Sequence, residues 1–222
     1  MKAVKLHFVI TAGPTREHLD PVRFLSNPST GKMGFALASA AARRGHRVTL
    51  VAGPVALKTP VGVTRVDVVS ARDMLAAVER NLSPGCVVVS TAAVADWRPA
   101  TCAAKKLKKG QMSPVLRLVR NPDILKTLHR KHSHPNAQAI RLVGFAAETN
   151  DVLAEASRKC REKGLSFIVA NDVTEKGCGF GTDTNRVTLV FPDGTQRKLP
   201  LMAKRVVARR IVETIEHGGA SC

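Results

Sequence analysis

Aromatic side chains are scarce in this chain of 222 residues: Phe and Trp together make up 4%, Trp97 is the one tryptophan, and tyrosine is absent. Proteins that grip single-stranded nucleic acid stack bases on aromatic platforms, which this composition hardly supplies. No run of about 18 apolar residues occurs, so no transmembrane helix is expected. The N-terminal MKAVKLHFVITAGPT lacks a long apolar stretch with a small-residue cleavage site and reads as a buried strand, not a secretory leader. The five cysteines (Cys86, Cys102, Cys160, Cys178, Cys222) are an odd number without a Cys-x-x-Cys pair. That argues against a disulfide framework or a zinc ribbon and suits a reducing cytoplasm. The seven histidines show no HxH or HExxH spacing, so no metal site built from protein side chains is assigned. No Gly-x-Ser-x-Gly elbow or catalytic-cysteine context appears. The dinucleotide fingerprint GxGxxG is missing, since Gly13 is followed by Pro14-Thr15-Arg16. A Walker A loop also fails, because Met33 follows Gly31-Lys32 and Ser26 stands where its first glycine belongs.

What the sequence has in excess is positive charge. Lys and Arg number 35 against 17 Asp and Glu, a net +18. A field of that sign gathers polyanions, either nucleic acid or small substrates rich in phosphate, and net charge alone does not choose between them. Hydrophobic residues at 44% and charged residues at 23% are near globular averages, which excludes wholesale disorder and coiled coil.

The pattern along the chain is a strand–loop–helix–strand alternation that builds a parallel sheet. Lys5 to Thr11, Arg47 to Ala52, Val63 to Val69, Cys86 to Thr91, Ala139 to Phe145 and Leu165 to Ala170 read as strands. Several are continuous apolar runs, as expected where helices cover both faces. Gly31 to Arg44, Ala71 to Leu82 (N-cap Ser70), Asn121 to Arg130, Thr149 to Lys163 and Leu201 to Glu216 read as helices. Arg186 to Phe191 and Gln196 to Leu199, joined by Pro192-Asp193-Gly194-Thr195, read as a hairpin. The expectation is one domain over 1–222: a doubly wound, mostly parallel α/β sheet of Rossmann type. A flap insertion lies at about 92–120 and a hairpin arm for dimerisation at about 172–200.

Ligands of doubly wound sheets sit beyond the carboxyl ends of the strands, and phosphates favour helix N-termini. The stretch 12–29 after the first strand, read as lacking secondary structure, carries with the start of the next helix Arg16, Asp20, Arg23, Asn27, Ser29, Thr30 and Lys32. Loops of that length are usually functional or disordered. Asp96, Trp97 and Arg98 fall at the carboxyl end of the fourth strand, which taken alone is equally an ordinary strand exit. The run KKLKK at 105–109 is either a solvated basic loop or a flap that closes on phosphate oxygens during phosphoryl or nucleotidyl transfer. On its own, Asn121-Pro122-Asp123-Ile124 reads best as a helix cap. Lys159 and Lys163, at i and i+4, share one helix face, which in most helices is a solvated one.

Taken together and in order, ITAGPTREHLDPVRFLSNPSTGKMG, AAVADWRP, KLKK, NPDI, GFAAETN, ANDV and GFGTDTNRV resemble the phosphopantothenate–cysteine ligase family of bacterial type, from about residue 5 to 215. The resemblance implies a cytoplasmic ligase of coenzyme A biosynthesis that joins 4′-phosphopantothenate to cysteine with CTP and Mg²⁺ through an acyl-cytidylate. It also implies a homodimer and no nucleic-acid or membrane partner. Nothing precedes the first strand, so a stand-alone ligase or an excised ligase domain without FMN is expected. Carried over by position, Lys106 is implied as the flap lysine on the α-phosphate, Asn27 as the holder of the acyl intermediate, and Arg23 as needed for the cysteine step. Ala92, Asp96, Lys106, Asn121, Pro122, Asp123, Ile124, Phe145, Lys159 and Lys163 are implied as the CTP-contacting set, with Phe145 near the base and the two lysines of 159 and 163 near phosphates. One departure is Gly13-Pro14 where most relatives carry Gly-Gly, which removes one backbone N–H from that turn. A nucleic-acid-binding α/β protein, favoured by the charge, an NAD-type or nucleotide-sugar Rossmann enzyme, and an ATP-using version of the ligase are the competing readings.

Overall fold

The protein is described from a computed structural model covering residues 5–108, 110, 115–134, 137–148, 151–172, 174, 175, 177–179 and 181–218. Its centre is an eight-stranded sheet formed by β1 (His7–Ala12), β4 (Arg47–Ala52), β5 (Thr64–Asp67), β6 (Val87–Ser90), β9 (Arg141–Glu148), β10 (Phe167–Asp172), β11 (Thr184–Val190) and β12 (Gln196–Ala203). Across the sheet the order is β12-β11-β10-β9-β6-β1-β4-β5. The six strands from β5 to β10 are parallel; β11 and β12 continue the sheet antiparallel. The chain builds outward from β1 to β4 and β5, then returns to place β6 on the other side of β1. The carboxyl ends of β1 and β6 therefore flank the topological switch point, where open α/β sheets bind ligands.

Helices cover both faces because the strands alternate apolar side chains to each. Phe8, Ile10, Val48, Leu50, Val87 and Val89 pack on one face with α1 (Lys32–Arg43) and α5 (Lys204–Glu216). Val9, Val51, Val88, Leu142, Ile168 and Ala170 face α2 (Ala71–Arg80), α3 (Ile124–His132) and α4 (Val152–Glu162). Every residue of β1 is buried. α2 starts on the expected Ser70, whose side chain accepts the Asp73 N–H while Asp73 caps Ser70 in return. That reciprocal pair satisfies two orphan amides.

Several expectations are corrected. The 12–29 stretch is not without secondary structure: β2 (Arg16–His18) pairs antiparallel with β3 (Phe24–Ser26). Buried Asp20 forms the turn between them by accepting the Val22 and Arg23 N–H groups, each at 2.8 Å. The 92–120 insertion contains β7 (Trp97–Pro99) paired antiparallel with β8 (Leu118–Arg120). α3 starts later than Asn121, because Asp123 is the residue that caps it, accepting the Lys126 N–H at 3.0 Å. The hairpin is longer and belongs to the central sheet. Its ladder resumes after a bulge at Asn185–Val187 and pairs Thr184 with Ala203, which delays α5 from Leu201 to Lys204. α4 begins at Val152; residues 149 and 150, placed in this helix by the sequence pattern, lie outside the described residues.

Candidate active site

α1 meets the switch point with an unguarded N-terminus. Its N-cap, Gly31, takes a left-handed φ of 77°, open to glycine at little cost, and no side chain caps the helix. Lys32, Met33 and Gly34, whose N–H groups are the orphan donors of the first turn, line a cavity of about 80 Å³. Gly34 sits so close to the sheet that a Cβ there would lie 2.5 Å from both the Ala12 Cβ and the Thr91 Oγ1. Thr91 donates its hydroxyl to the Thr11 carbonyl at 2.6 Å, joining the ends of β1 and β6 beneath the helix.

The opposite wall comes from β9, β10, β11 and α5. Phe145, half-buried on β9, lines the cavity with Asn171 at the end of β10, Asn185 on β11, and Lys204, the first residue of α5. Asn171 and Asn185 are buried, and the Oδ1 of each has no hydrogen-bond partner among the described residues. A buried acceptor left unpaired costs about 1–3 kcal/mol, so two beside one cavity mark a place built to receive donors from elsewhere. Lys204 is buried and donates to the Gly179 and Thr182 carbonyls at 3.0 and 2.7 Å. Burial, reinforced by the neighbouring Lys32 charge, pushes its pKa down. Lys32 donates to the Gly181 carbonyl at 2.8 Å and pairs with Asp183 at 2.7 Å. An uncapped helix start and two ammonium groups, one of them paired with Asp183, thus give the cavity N–H donors suited to an anion. Among these residues the family resemblance implies Phe145 as a nucleotide contact, and the reading of the first loop singles out Lys32. The missed signals are an Asn ending the apolar run of β10, and a Lys whose spacing to Val207, Ala208 and Ile211 puts it on the buried face of α5.

Of the other residues implied from sequence, Asn27, Ala92, Asp96 and Asn121 lie along the 92–98 strand exit. Asn27 is exposed and donates its amide to the Ala93 carbonyl at 3.1 Å; the Ala92 N–H points to the Thr11 hydroxyl at 3.3 Å. The departure at Pro14 is absorbed by the backbone, as Pro14 forms a parallel bridge with Ala93. Asp96, also exposed, accepts the Asn121 N–H at 2.8 Å through its carbonyl. The Asn121 side chain donates to the Ala95 carbonyl at 2.8 Å and accepts from Arg98 at 3.2 Å. Pro122 leads into Asp123, which pairs with Lys163 at 2.8 Å, while Ile124 is buried in the core beneath. Lys163 is the C-cap of α4 and accordingly closes the helix whose last turn holds Lys159.

Arg23 and Lys106 come together through the first loop. The Arg23 guanidinium pairs with Asp20 at 2.7 Å and donates to the Leu107 carbonyl at 2.6 Å. Lys106 is exposed beside it; Lys109 and 111–114 of the flap lie outside the described residues. Burial alone raises the Asp20 carboxyl, but the N–H groups of Val22, Arg23 and Leu107 and the Arg23 side chain outweigh it and hold it well below the usual carboxylate range. Among the described residues no three His, Cys, Asp or Glu side chains converge on a metal position, and no helix is long and apolar enough to cross a membrane.

Residues 4–218 match the family described as the DNA/pantothenate metabolism flavoprotein C-terminal domain. The chain is 50% identical over 210 residues to the coenzyme A biosynthesis bifunctional protein CoaBC of Bacillus subtilis, covering 94% of this chain and 50% of that protein. It is 46% identical over 213 residues to the Escherichia coli protein of that name, covering 95% and 51%. The chain therefore spans about half the length of the curated relatives it matches. The crystal structure of the C-terminal domain of a CoaBC protein superposes with a TM-score of 0.78 at 43% identity, covering 98% of this chain and 97% of that one. A Cab2 H337A mutant in complex with phosphopantothenate-cysteine shares the fold, with a TM-score of 0.75 at 17% identity over 96% and 86% of the two chains.

Proposed function

The chain belongs to the DNA/pantothenate metabolism flavoprotein C-terminal domain family, and from that membership we propose that it is a ligase joining 4′-phosphopantothenate to cysteine with CTP. In the first step a carboxylate oxygen of phosphopantothenate attacks the α-phosphorus of CTP, forming the acyl-cytidylate and releasing pyrophosphate. In the second, the cysteine amine attacks the acyl carbon, the amide forms, and CMP leaves with the bonding electrons.

The observation that carries this reading is the cavity at the switch point, lined by the start of α1, Lys32 and Lys204, with two buried amide oxygens unpaired among the described residues. The start of α1, Lys32 and Lys204 suit a phosphate-bearing substrate, and the two Asn acceptors suit the hydroxyl or amine donors such a substrate also carries. The lysines of 105–108, tethered to the first loop through Leu107, suit neutralisation of charge developing during nucleotidyl transfer. Lys106 takes the α-phosphate role, Asn27 holds the acyl carbonyl, and Arg23 serves the cysteine step from the same loop. Ala92, Asp96, Asn121 to Ile124, Phe145, Lys159 and Lys163 form the nucleotide wall. Mg²⁺ would be carried by triphosphate oxygens and waters. The +18 charge is read as serving polyanionic small substrates, and the protein as acting in the cytoplasm as a homodimer.

The test is pyrophosphate release with phosphopantothenate and cysteine, comparing CTP, ATP, UTP and GTP. Strong preference for CTP is expected. Equal or better turnover with ATP overturns the nucleotide assignment, and no release with any of the four overturns the ligase reading.

A further inference from the structure

One buried carboxylate joins two segments whose roles were read separately. Asp20 is fully buried. Besides forming its own turn, its Oδ2 accepts from Arg23 Nε at 3.1 Å, from Arg23 Nη2 at 2.7 Å and from the Leu107 N–H at 3.2 Å. The same Arg23 nitrogen donates to the Leu107 carbonyl at 2.6 Å. Both backbone polar groups of Leu107 are thus held by one Asp–Arg pair, 87 residues away in the chain for Asp20 and 84 for Arg23. Four residues earlier the Ala103 N–H donates to the Leu19 carbonyl at 2.9 Å, a second tie from the same root to the same loop. Lys106 stands between the two ties, with its side chain exposed.

The turn at Asp20 does not need these ties, because the Val22 and Arg23 N–H groups already close it. The added grip fixes the backbone on either side of a lysine that would otherwise ride on a segment of free loop. An ammonium group neutralises a moving charge best when its position is set beforehand.

We propose that Asp20 is a positioning residue that, through Arg23 and Leu107, clamps the root of the basic flap and so places Lys106 for nucleotidyl transfer. The activity part rests on the ligase reading; the clamp itself does not. It also gives Arg23 a task in the first step, apart from any in the second.

Hydrogen exchange read by mass spectrometry on the whole chain tests the clamp without reference to activity. Asp20→Asn and Arg23→Gln should each speed exchange of the 103–108 backbone by about tenfold or more, the scale of one lost charge-assisted bond. Peptides from β1 and β4 should stay protected. If Asp20→Asn fails to fold, Arg23→Gln keeps the turn-forming carboxylate and carries the test. Unchanged exchange at 103–108 in every variant that folds overturns the clamp. The second measurement is the rate of CTP-dependent pyrophosphate release for wild type, Asp20→Asn, Lys106→Ala and the double variant. If Asp20 acts through Lys106, its substitution slows the wild type but adds little once Lys106 is gone, whereas fully multiplicative losses overturn the positioning role. A wild type that releases no pyrophosphate defeats the ligase reading, and the exchange result still decides the clamp.

Discussion

The ammonium of Lys163 lies 2.8 Å from the Asp123 carboxylate, so the C-cap of α4 is ion-paired to the N-cap of α3. Burial opposes the Asp123 charge, but the Lys126 N–H and Lys163 outweigh it and hold its carboxyl below the ordinary value. A lysine proposed to meet a triphosphate is therefore already answered by a carboxylate. Nucleotide binding at the proposed wall would exchange one anion for another and would not fill a bare positive site.

Removing the lysine has a kinetic consequence. Lys163→Ala should raise the CTP KM several-fold with a smaller change in kcat, measured by pyrophosphate release across CTP concentrations. An unchanged KM removes Lys163 from the nucleotide wall.

The same pair has a pH signature. Because the folded-state pKa of Asp123 is lowered, its stabilisation is fully present above the unfolded value and is lost as pH falls through the lowered one. The stability gap between wild type and Asp123→Asn in urea melts should be constant near neutrality and shrink below about pH 4. A gap that persists unchanged well below that pH rules out the charge as its source.

Lys106→Ala should slow pyrophosphate release by about a hundredfold or more, the usual scale for losing one transition-state charge partner. The melting temperature should not move, because the side chain is exposed. Lys106→Arg should retain part of the rate if charge is what matters. Wild-type release from Lys106→Ala would pass the role to another flap lysine.

Asn27→Asp should activate phosphopantothenate but convert the intermediate poorly. The amide that donates to the Ala93 carbonyl becomes an acceptor, and its charge repels the cytidylate phosphate. The expected observation is acyl-cytidylate accumulating with little product after cysteine is added. Failure before pyrophosphate release would assign this loop to CTP binding.

Gly34→Ala tests the seat of α1. The new Cβ would meet Ala12 and Thr91 at 2.5 Å, both held by the sheet ends. Overpacking of this kind costs about 1–3 kcal/mol, so the melting temperature should fall by several degrees and nucleotide affinity should drop with it. An unchanged melting temperature contradicts so close an approach.

Much of the architecture is legible in the chain itself. The buried parallel strands announce themselves as unbroken apolar runs such as FVIT and VVV, and the helix at 71–80 by the Ser70–Asp73 capping pair, because these are properties of neighbouring residues. The ordered set of motifs is likewise a property of sequence, and it named the family. Tertiary structure alone decided which of those residues meet. Nothing local to Asp20 indicates that Leu107 will supply its further donor, and nothing local to NPDI indicates that Asp123, not Asn121, will cap the helix and bind Lys163. Asn171, Asn185 and Lys204 stand on three separate elements. Their convergence on one cavity follows from β11 joining β10 antiparallel and from β12, paired with β11, returning the chain to the start of α5. Periodicity within a window reports which side of an element is buried; the pairing that brings distant polar groups to one place is set by the packing of the whole sheet.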